Sequence, residues 1–582
     1  MIDATNRNTA LASALVEELV RSGVRHAILS PGSRSSPVAL ALDREPGIEL
    51  SVVLDERSAG FVALGCALAT GAPALVACTS GSAAANLHPA VVEADQAGVP
   101  LIVLTSDRPP ELRGIGAGQT IDQIGLYGSA VRWFCEAGTH DADDTGLLHL
   151  RSLGCRAWAE ATSGRGPVHL NLSWRDPLGP EPRPEDVTAK RSLALEGRSK
   201  HEPLTGFTEW RHPDIKDASP LAERLADAER GLIVAGRNLL PTLGVAIGAL
   251  SQATGFPVLA EPTSNARLPS LGGPPTVAAY DLIARSQPAG LSPDLILRCG
   301  DMPTSKPLRA WIEALDVAQI VVDPPGRWNE PTRTANTVVR ADAAGLAFLL
   351  ADLVTDPFTS REWQEAWRRA EDAAQRAIDE TLASAPDPTE PGIARALRPL
   401  VGHQENLLLA SSMPIRDFEA FSRAEGEPAW IRANRGANGI DGLVSTACGI
   451  ARGSHRPTWL LIGDLALAHD IGGLASAQDL PAPLRIVVVD NGGGGIFDFL
   501  PQAEQVESAA FERLFTTPSG LDMERVAATY GIDFAEIGSE AELAGLADSG
   551  TILARVRVER AGNVDLHRRI ADAVSAAIAA QS

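Results

Sequence analysis

The stretch that decides the fold is TWLLIGDLALAHDIGGLASAQDLPAPLRIVVVDNGGGG, residues 458–495. Two apolar runs, each long enough for a buried strand, flank a segment of helical length. A strand, a helix and a second strand of this size form one crossover unit, which returns both strand ends to the same edge of a parallel sheet. Asp464 and Asn491 follow the two strands, so we expect their oxygens to point into one space.

The same alternation of apolar runs and helix-sized segments covers most of the chain. ALVAC (74–78), GLIVAGR (231–237) and NLLLASS (406–412) are typical of strands buried on both faces. Stretches rich in Pro and charge interrupt the pattern and are typical of linkers. The sequence therefore predicts an α/β protein with three parallel-sheet domains. The expected divisions are a first domain at 1–180, a linker at 181–215, a central domain at 216–358, a helix and linker at 359–392, and a third domain at 393–582.

Composition excludes several classes of partner. Lys and Arg total 51 and Asp and Glu total 73, so the net charge is −22, which argues against nucleic acid and against an anionic membrane surface. The 6 cysteines form no C-x-x-C pair and are typical of reduced structural thiols. We find neither a signal peptide nor an apolar run of about 18 residues, and so expect a cytoplasmic protein.

Asp464, Asn491 and the glycine run suit a hard divalent cation. Such a cation takes about six oxygen ligands and shares some of them with phosphate groups. The Asp464 carboxylate, the Asn491 amide oxygen and the Gly493 carbonyl are the expected ligands. Taken singly, an Asp at a strand end is often a helix cap, and a glycine run is often a simple turn. The chain has no G-x-x-x-x-G-K-[ST] stretch, which excludes a P-loop site.

The Gly463–Asp464 to Asn491–Gly stretch resembles the metal and diphosphate motif of thiamine-diphosphate-dependent enzymes. DERSAGFVALG (55–65) and TSGSAAANLHPAVVEA (79–94) resemble their pyrimidine-binding domain. The resemblance implies thiamine diphosphate with Mg²⁺ or Mn²⁺, and pyrimidine-binding, central and diphosphate-binding domains in that order. It also implies a homodimer or homotetramer with active sites at the subunit interfaces.

Glu56 follows a buried strand and begins an amphipathic segment. On its own it is expected to stabilise the start of that helix through the helix dipole. The resemblance implies another role, in which Glu56 hydrogen-bonds N1′ of the aminopyrimidine and favours the tautomer that takes the proton from thiazolium C2. A buried carboxylate that shares a proton with a ring nitrogen is chemically suited to this task.

Several strand-end turns carry cations, which point to the substrate. Surface Arg and Lys are common, and each of these residues alone is expected to be solvated or to shape a turn. Five such cations in a chain of net charge −22 indicate instead a substrate with several carboxylates, which guanidinium groups bind bidentately. The candidate substrate-binding residues are Ser33, Arg34, Arg108, Gln119, Lys306, Ser412, Arg416 and Arg435.

SPGSRSSP (30–37), DERSAGF (55–61) and NRGANGIDG (434–442) resemble more narrowly the 2-succinyl-5-enolpyruvyl-6-hydroxy-3-cyclohexene-1-carboxylate synthases of the menaquinone pathway. This implies decarboxylation of 2-oxoglutarate and 1,4-addition of the succinyl unit to isochorismate. Gly118 departs from the Asn of relatives. The implied assignments are Ser33, Arg34, Arg108, Gln119 and Arg435 to isochorismate, Ser412 and Arg416 to the succinyl end, Lys306 to an orienting charge, and Ile440, Ile496 and Phe497 to cofactor packing.

Two other functions fit the same motifs. One is another thiamine-diphosphate carboligase or 2-oxo-acid decarboxylase, which acts on small monocarboxylates and has less need of Arg. The other is a binding or regulatory protein that has kept the fold and lost the chemistry. Retention of Glu56, Asp464 and Asn491 together argues against the second.

Overall fold

The computed structural model describes residues 2–208, 213–270, 272–323 and 328–581. Residues 1 and 582, at the ends of the predicted outer domains, and residues 209–212 of the predicted linker lie outside these ranges. Positions 271 and 324–327 of the predicted central domain lie outside them as well.

The described chain alternates strands and helices throughout. The first part contains α1 (Arg7–Ser22), β1 (His26–Leu29), α2 (Ser36–Arg44), β2 (Glu49–Val52), α3 (Glu56–Thr70), β3 (Ala74–Cys78), α4 (Ser82–Asn86), α5 (His88–Ala97), β4 (Leu101–Asp107), β5 (Trp133–Gly138), α6 (Asp144–Ser163), β6 (Pro167–Ser173) and α7 (Ser192–Glu196).

The middle part continues the alternation and ends in a long helix. It contains α8 (Ile215–Ala226), β7 (Gly231–Ala235), α9 (Thr242–Thr254), β8 (Val258–Ala260), β9 (Thr276–Val277), α10 (Tyr280–Arg285), β10 (Leu295–Cys299), α11 (Lys306–Ala314), β11 (Ala318–Asp323), β12 (Thr337–Arg340), α12 (Ala343–Leu353) and α13 (Arg361–Leu382).

The last part includes the predicted crossover at residues 458–490. It contains α14 (Glu390–Leu397), β13 (Asn406–Leu409), α15 (Met413–Phe421), β14 (Trp430–Arg432), α16 (Leu443–Ser454), β15 (Thr458–Gly463), α17 (Asp464–His469), β16 (Leu484–Asp490), α18 (Gln502–Gln505), α19 (Ser508–Phe511), α20 (Met523–Thr529), β17 (Asp533–Ile537), β18 (Ile552–Arg557) and α21 (Asn563–Ala579).

The strands form three parallel sheets of six strands each, which confirms the predicted fold class. Their orders are β2-β1-β3-β4-β6-β5, β12-β11-β10-β7-β8-β9 and β14-β13-β15-β16-β18-β17. Central strands such as β3 and β10 are buried along their whole length, as expected where helices cover both faces of a sheet. β15 and β16 pair in parallel along six residues, from Thr458 opposite Leu484 to Gly463 opposite Val489. The predicted crossover unit is therefore present.

The chain folds into two compact units. The first comprises residues 2–208, 434–455 and 469–482, and contains the first sheet together with α16. The second comprises the rest of the described chain and contains the second and third sheets. Across the described ranges we find no helix that combines the length and the apolarity needed to cross a membrane.

Residues 181–208, part of the expected linker, belong to the first unit and contact residues on and beside its helices. The Asn6 amide donates to the carbonyl of Glu181 at 3.0 Å, and Nε of buried Arg151 donates to the carbonyl of Ala194 at 3.0 Å. Ala194 itself is fully buried. A composition rich in Pro and charged residues is the same for a free linker and for a segment that packs on a domain. The contacts seen here use the backbone carbonyls of the segment, so they do not depend on its side chains.

Candidate active site

Helices α3 and α16 pack side by side in the first unit and place two predicted cofactor residues. An added Cβ at Gly442 would lie 2.0 Å from the ring of Phe61, and one at Gly65 would lie 2.1 Å from a carbonyl oxygen within α16. Because successive residues of α3 meet successive residues of the 442–454 segment, the two helices run in the same direction. Glu56 and Ile440, at the N-terminal ends of these helices, therefore lie at the same end of the pair.

Glu56 is the first residue of α3 and is half-buried. The strand before it, β2, was expected to be buried but is a partly exposed edge strand of the sheet. The N-cap is Asp55, whose Oδ1 accepts a hydrogen bond from the N–H of Arg57 at 2.9 Å. Burial, together with the nearby Glu56 carboxylate, raises the pKa of the Cys78 thiol at the end of β3. Glu56 thus lies beside the carboxyl end of a central strand, where ligands bind in sheets of this type, and the helix does not need it as a cap.

Arg108 and Gln119 meet at Ser80, which follows β3. The Arg108 guanidinium donates to Oγ of Ser80, and that hydroxyl donates to the carbonyl of Gln119 at 3.1 Å. The Gln119 amide returns a hydrogen bond to the Ser80 carbonyl at 3.0 Å. Burial and the neighbouring guanidinium of Arg34 lower the pKa of Arg108. Two guanidinium groups held this close are suited to an anionic ligand.

Arg34 is held by two contacts with the segment that follows β6. Its Nη1 donates to the carbonyl of Trp174 at 2.8 Å and lies 3.7 Å from the Asp176 carboxylate. Ser33 is exposed in the same turn. Gly118 is exposed in the loop of Gln119, and an added Cβ there would meet no atom of the described residues within 4 Å. The loop therefore has room for a side chain at this position.

Arg435 and Ile440 lie on a loop that is fastened to α5. Both oxygens of Glu93, which is only 3% exposed, accept backbone hydrogen bonds, from Gly436 at 2.8 Å and from Ala437 at 2.6 Å. A cavity of about 330 Å³ lies beside this contact. It is lined by His88, Pro89, Val92, Glu93, Ala437 and Asp441.

Asp464 lies in the second unit, at the end of β15. The backbone N–H groups of Leu465 and Gly493 hydrogen-bond to its carboxylate. Burial and the nearby charge of Asp490 raise the pKa of Asp464 to about 6. Burial disfavours the ionised form of this carboxyl group, and a cation bound beside it would stabilise that form. Gly493 and Asp464 are therefore neighbours, as the crossover predicted.

The side-chain amide of Asn491 is hydrogen-bonded through its nitrogen but not through its oxygen. Its Nδ2 donates to Oε1 of Glu390 at 2.6 Å. Its Oδ1 is buried and has no hydrogen-bond partner among the described residues. Within the same ranges no group of three or more His, Cys, Asp or Glu could hold a metal. The residues present fit a cation bound by one carboxylate, one amide oxygen, a backbone carbonyl and phosphate oxygens.

Ser412, Arg416 and Lys306 lie at the starts of two connected helices of the second unit. Ser412 has φ 77° before α15, and Nη1 of Arg416 donates to the Ser412 carbonyl at 2.5 Å. Burial lowers the pKa of Arg416. The backbone N–H of Ser305, next to Lys306, donates to Oε1 of Glu419 on α15 at 3.1 Å. Lys306 and Arg416 thus lie in the first turns of α11 and α15. The N-terminal end of a helix also attracts anions, so both features favour an anionic ligand.

Comparison with known proteins agrees with this geometry. The family models for thiamine pyrophosphate enzymes match this chain, the N-terminal TPP binding domain at residues 9–126 and the C-terminal TPP binding domain at 417–550. The 2-succinyl-5-enolpyruvyl-6-hydroxy-3-cyclohexene-1-carboxylate synthase of Myxococcus xanthus is 41% identical over 98% of both chains. The proteins of that name from Chloroflexus aurantiacus and Halobacterium salinarum are each 40% identical, over 98% of this chain and 97% and 99% of their own.

The chain belongs to this synthase family. The resemblance inferred from the sequence motifs is therefore confirmed over nearly the whole chain. The match of both thiamine pyrophosphate domains supports thiamine diphosphate as the cofactor.

The four glycines after Asn491 have separate local reasons. An added Cβ at Gly493 would lie 2.3 Å from the carbonyl of Thr516, and one at Gly494 would lie 2.7 Å from the carbonyl of Phe515. The chain's own backbone at 515–516 therefore requires two of the four glycines. Ile496 and Phe497 follow in a 3₁₀ turn, and the Phe497 ring lies 5.6 Å from that of Phe515.

We expect Gly493→Ala to be much more harmful than Gly492→Ala. Gly492 has φ 76° and open space around it, so alanine there carries only the backbone cost of about 1–2 kcal/mol. Gly493 has φ 136° and would clash with Thr516, which adds roughly 1–3 kcal/mol. Thermal unfolding midpoints and thiamine diphosphate affinity of the two variants measure the difference. Equal loss in both would show that the contact with Thr516 does not matter.

Three residues of these clusters were missed by sequence reasoning. Ser80 lies in the TSGS turn, which marks a strand end but gives no sign that its hydroxyl joins Arg108 to Gln119. Glu390 lies in the Pro-rich stretch PDPTEPG (386–392), where nothing indicates burial, and Glu93 lies in the apolar stretch AVVEA (90–94), which is the only signal it offers. A carboxylate in such a place is almost never buried without a partner, but the partner itself lies far away along the chain.

Proposed function

We propose that this chain catalyses the thiamine-diphosphate-dependent decarboxylation of 2-oxoglutarate and the 1,4-addition of the remaining four-carbon unit to isochorismate. The products are 2-succinyl-5-enolpyruvyl-6-hydroxy-3-cyclohexene-1-carboxylate and CO₂, and the pathway is that of menaquinone. The observation that carries this choice among thiamine-diphosphate enzymes is the pair of neighbouring guanidinium groups of Arg34 and Arg108, the second of which donates to Ser80. The names of the relatives support the same reaction.

The cofactor is proposed to bind with Mg²⁺ or Mn²⁺. Asp464, Asn491 and the carbonyl of Gly493 would hold the metal, which in turn holds the diphosphate. Thiamine diphosphate, when bound, supplies an acceptor for the electron pair that is released as CO₂ leaves. Gly463, Ile496 and Phe497 border this site, and Ile440 would support the cofactor.

Glu56 is the proposed catalytic residue of the chain. It would hold a proton at N1′ of the cofactor's aminopyrimidine ring, which requires a carboxyl group at a site shielded from water. Its position on the same end of the helix pair as Ile440 supports this role. Proton transfer by general acid–base groups accounts for roughly 10²–10⁴-fold in rate.

The cations would hold the substrates by their carboxylates. Ser33, Arg34, Arg108, Gln119 and Arg435 are assigned to isochorismate, because the first four lie near one another at the edge of the first sheet. Ser412 and Arg416 are assigned to the succinyl end, and Lys306 on the adjoining helix is assigned to the orientation of these charges. Charge-assisted hydrogen bonds to two carboxylates select against monocarboxylates such as pyruvate.

The assembly is proposed to be a homodimer or homotetramer with active sites at subunit interfaces, located in the cytoplasm. The exposed apolar side chains of Val52 and Leu54, immediately before Glu56, support burial of this edge by another subunit. None of the six cysteines is paired, in agreement with a reducing compartment.

Mass spectrometry of the reaction products tests the function. Purified protein with thiamine diphosphate and Mg²⁺ is given 2-oxoglutarate and isochorismate, and the mass of the adduct is sought together with the release of CO₂. Parallel reactions receive pyruvate in place of 2-oxoglutarate. Faster consumption of pyruvate would favour another carboligase or a 2-oxo-acid decarboxylase, and no turnover with either acid would favour a non-catalytic protein.

We expect Arg108→Ala and Arg416→Ala to affect different substrates. Loss of a charge-assisted hydrogen bond costs about 1.5–3 kcal/mol, which corresponds to roughly 10–150-fold in affinity. Arg108→Ala should therefore raise KM for isochorismate, and Arg416→Ala should raise KM for 2-oxoglutarate. Steady-state kinetics with each substrate varied in turn measures this.

Arg175→Ala is the matched control for this pair. Arg175 also follows a strand of the first sheet, but it is 45% exposed and pairs with the Glu111 carboxylate at 2.6 Å. Such exposed pairs contribute little, so both KM values should stay unchanged. A rise in both KM values in either test variant would contradict the separate assignments.

A further inference from the structure

The buried carboxyl group of Glu390 contacts the amide of Asn491. Glu390 is the first residue of α14 and is only 3% exposed. Its Oε1 accepts a hydrogen bond from Nδ2 of Asn491 at 2.6 Å. Because Nδ2 of Asn491 faces Oε1 of Glu390, the amide oxygen Oδ1 points to the opposite side.

The other side of the Asn491 amide is kept clear. Oδ1 of Asn491 is buried and lacks a hydrogen-bond partner in the described ranges. An added Cβ at Gly495 would lie 2.6 Å from Nδ2 of Asn491, so this glycine leaves room for the amide in this position. A buried amide oxygen without a partner is costly unless a ligand satisfies it.

Glu390 is itself held in place. Thr389, the N-cap of α14, donates from its backbone N–H and from its hydroxyl to Oε1 of Glu540, both at 3.0 Å. Next to Glu390 lies buried Asp417 on α15, whose Oδ1 is 2.9 Å from Nε2 of half-buried His567 on α21. The side chain that contacts Asn491 thus comes from a helix start that is fixed at both its cap and its inner face.

We infer that Glu390 is a positioning residue, which turns the amide of Asn491 so that Oδ1 faces the divalent cation. The inference rests on the proposed function, because that function makes Asn491 a metal ligand. Groups that hydrogen-bond to a metal ligand without binding the metal themselves contribute roughly 10–100-fold to metal affinity. Glu390 contributes in this way without touching metal, cofactor or substrate.

Binding of Mn²⁺ in the presence of thiamine diphosphate tests the inference. Free Mn²⁺ is measured by electron paramagnetic resonance, which requires no turnover. We expect Glu390→Leu to weaken Mn²⁺ binding about 10–100-fold, because Asn491 loses the group that orients it. Glu390→Gln keeps an oxygen that accepts the same hydrogen bond, so we expect it to bind Mn²⁺ within about threefold of the unaltered protein.

Glu371→Leu is the matched control. Glu371 is also a buried carboxyl group of the second unit, and it accepts hydrogen bonds from the Ala279 N–H at 3.0 Å and the Gln375 amide at 2.8 Å. Its removal should lower the thermal unfolding midpoint without changing Mn²⁺ affinity. Circular dichroism and gel filtration identify the folded fraction of each variant, to which the affinities are referred.

The outcomes separate this inference from the proposed function. If the unaltered protein with thiamine diphosphate binds no Mn²⁺, the proposed metal site fails and the inference fails with it. If the unaltered protein binds Mn²⁺ and Glu390→Leu binds it equally well, only the inference is overturned. Equal weakening in Glu371→Leu, or in Glu390→Gln and Glu390→Leu alike, would also overturn it. If Glu390→Leu is not folded, normal binding in Glu390→Ala would have the same meaning.

Discussion

Replacement of Glu56 by Gln is expected to lower kcat by about 10²–10⁴-fold while thiamine diphosphate remains bound. Glutamine keeps the size and the polarity of the side chain but cannot exchange a proton with N1′ of the aminopyrimidine. The loss should therefore fall on the chemical step and leave cofactor binding nearly unchanged. Stopped assays of 2-oxoglutarate decarboxylation give kcat, and titration with thiamine diphosphate gives the affinity.

Asp55→Asn is the control for this prediction. This substitution removes the same charge one residue away from Glu56. Asparagine is as good an N-cap as aspartate, so α3 should stay capped. The alternative role of Glu56, stabilisation of the helix start, predicts at most about 1 kcal/mol of stability and no special loss of turnover. Unchanged kcat in Glu56→Gln, or an equal loss in Asp55→Asn, would refute the catalytic role.

Replacement of Asp464 by Ala is expected to abolish metal-dependent binding of the cofactor. The variant loses the only acidic group among the proposed ligands, and the metal links the protein to the diphosphate. We expect at least about a 100-fold loss of Mg²⁺ affinity, since an ionised ligand in a buried site contributes more than a neutral one. Calorimetric titration with Mg²⁺ and thiamine diphosphate together measures this.

Asp490→Asn tests whether the position or merely the charge of Asp464 matters. Asp490 is the last residue of β16, and its charge contributes to the raised pKa of Asp464. If any negative charge at this sheet edge sufficed, the two substitutions would weaken Mg²⁺ binding equally. We expect Asp490→Asn to retain binding within a few fold, because the proposed ligand is the Asp464 carboxylate, to which the Gly493 N–H donates a hydrogen bond.

The sheets and the ends of their strands could be predicted directly from the sequence. Apolar runs such as ALVAC are sequence-local, and so are the turn residues that end them. Because parallel strands return to the same edge, the spacing of Asp464 and Asn491 was enough to predict that their elements would be adjacent. The helix pair of α3 and α16 could not be predicted, since nothing near Gly65 indicates that α16 would pack against it.

The sequence by itself determined the α/β class, the crossover at residues 458–490 and the family to which the chain belongs. Each of these depends on short-range periodicity or on motifs that are contiguous in the chain. Only the tertiary structure showed that Ser80 joins Arg108 to Gln119, that Glu93 holds the loop of Arg435, and that Glu390 contacts Asn491. The physical reason is that a buried polar group must find a partner, and the topology of the folded chain decides which distant residue that partner is.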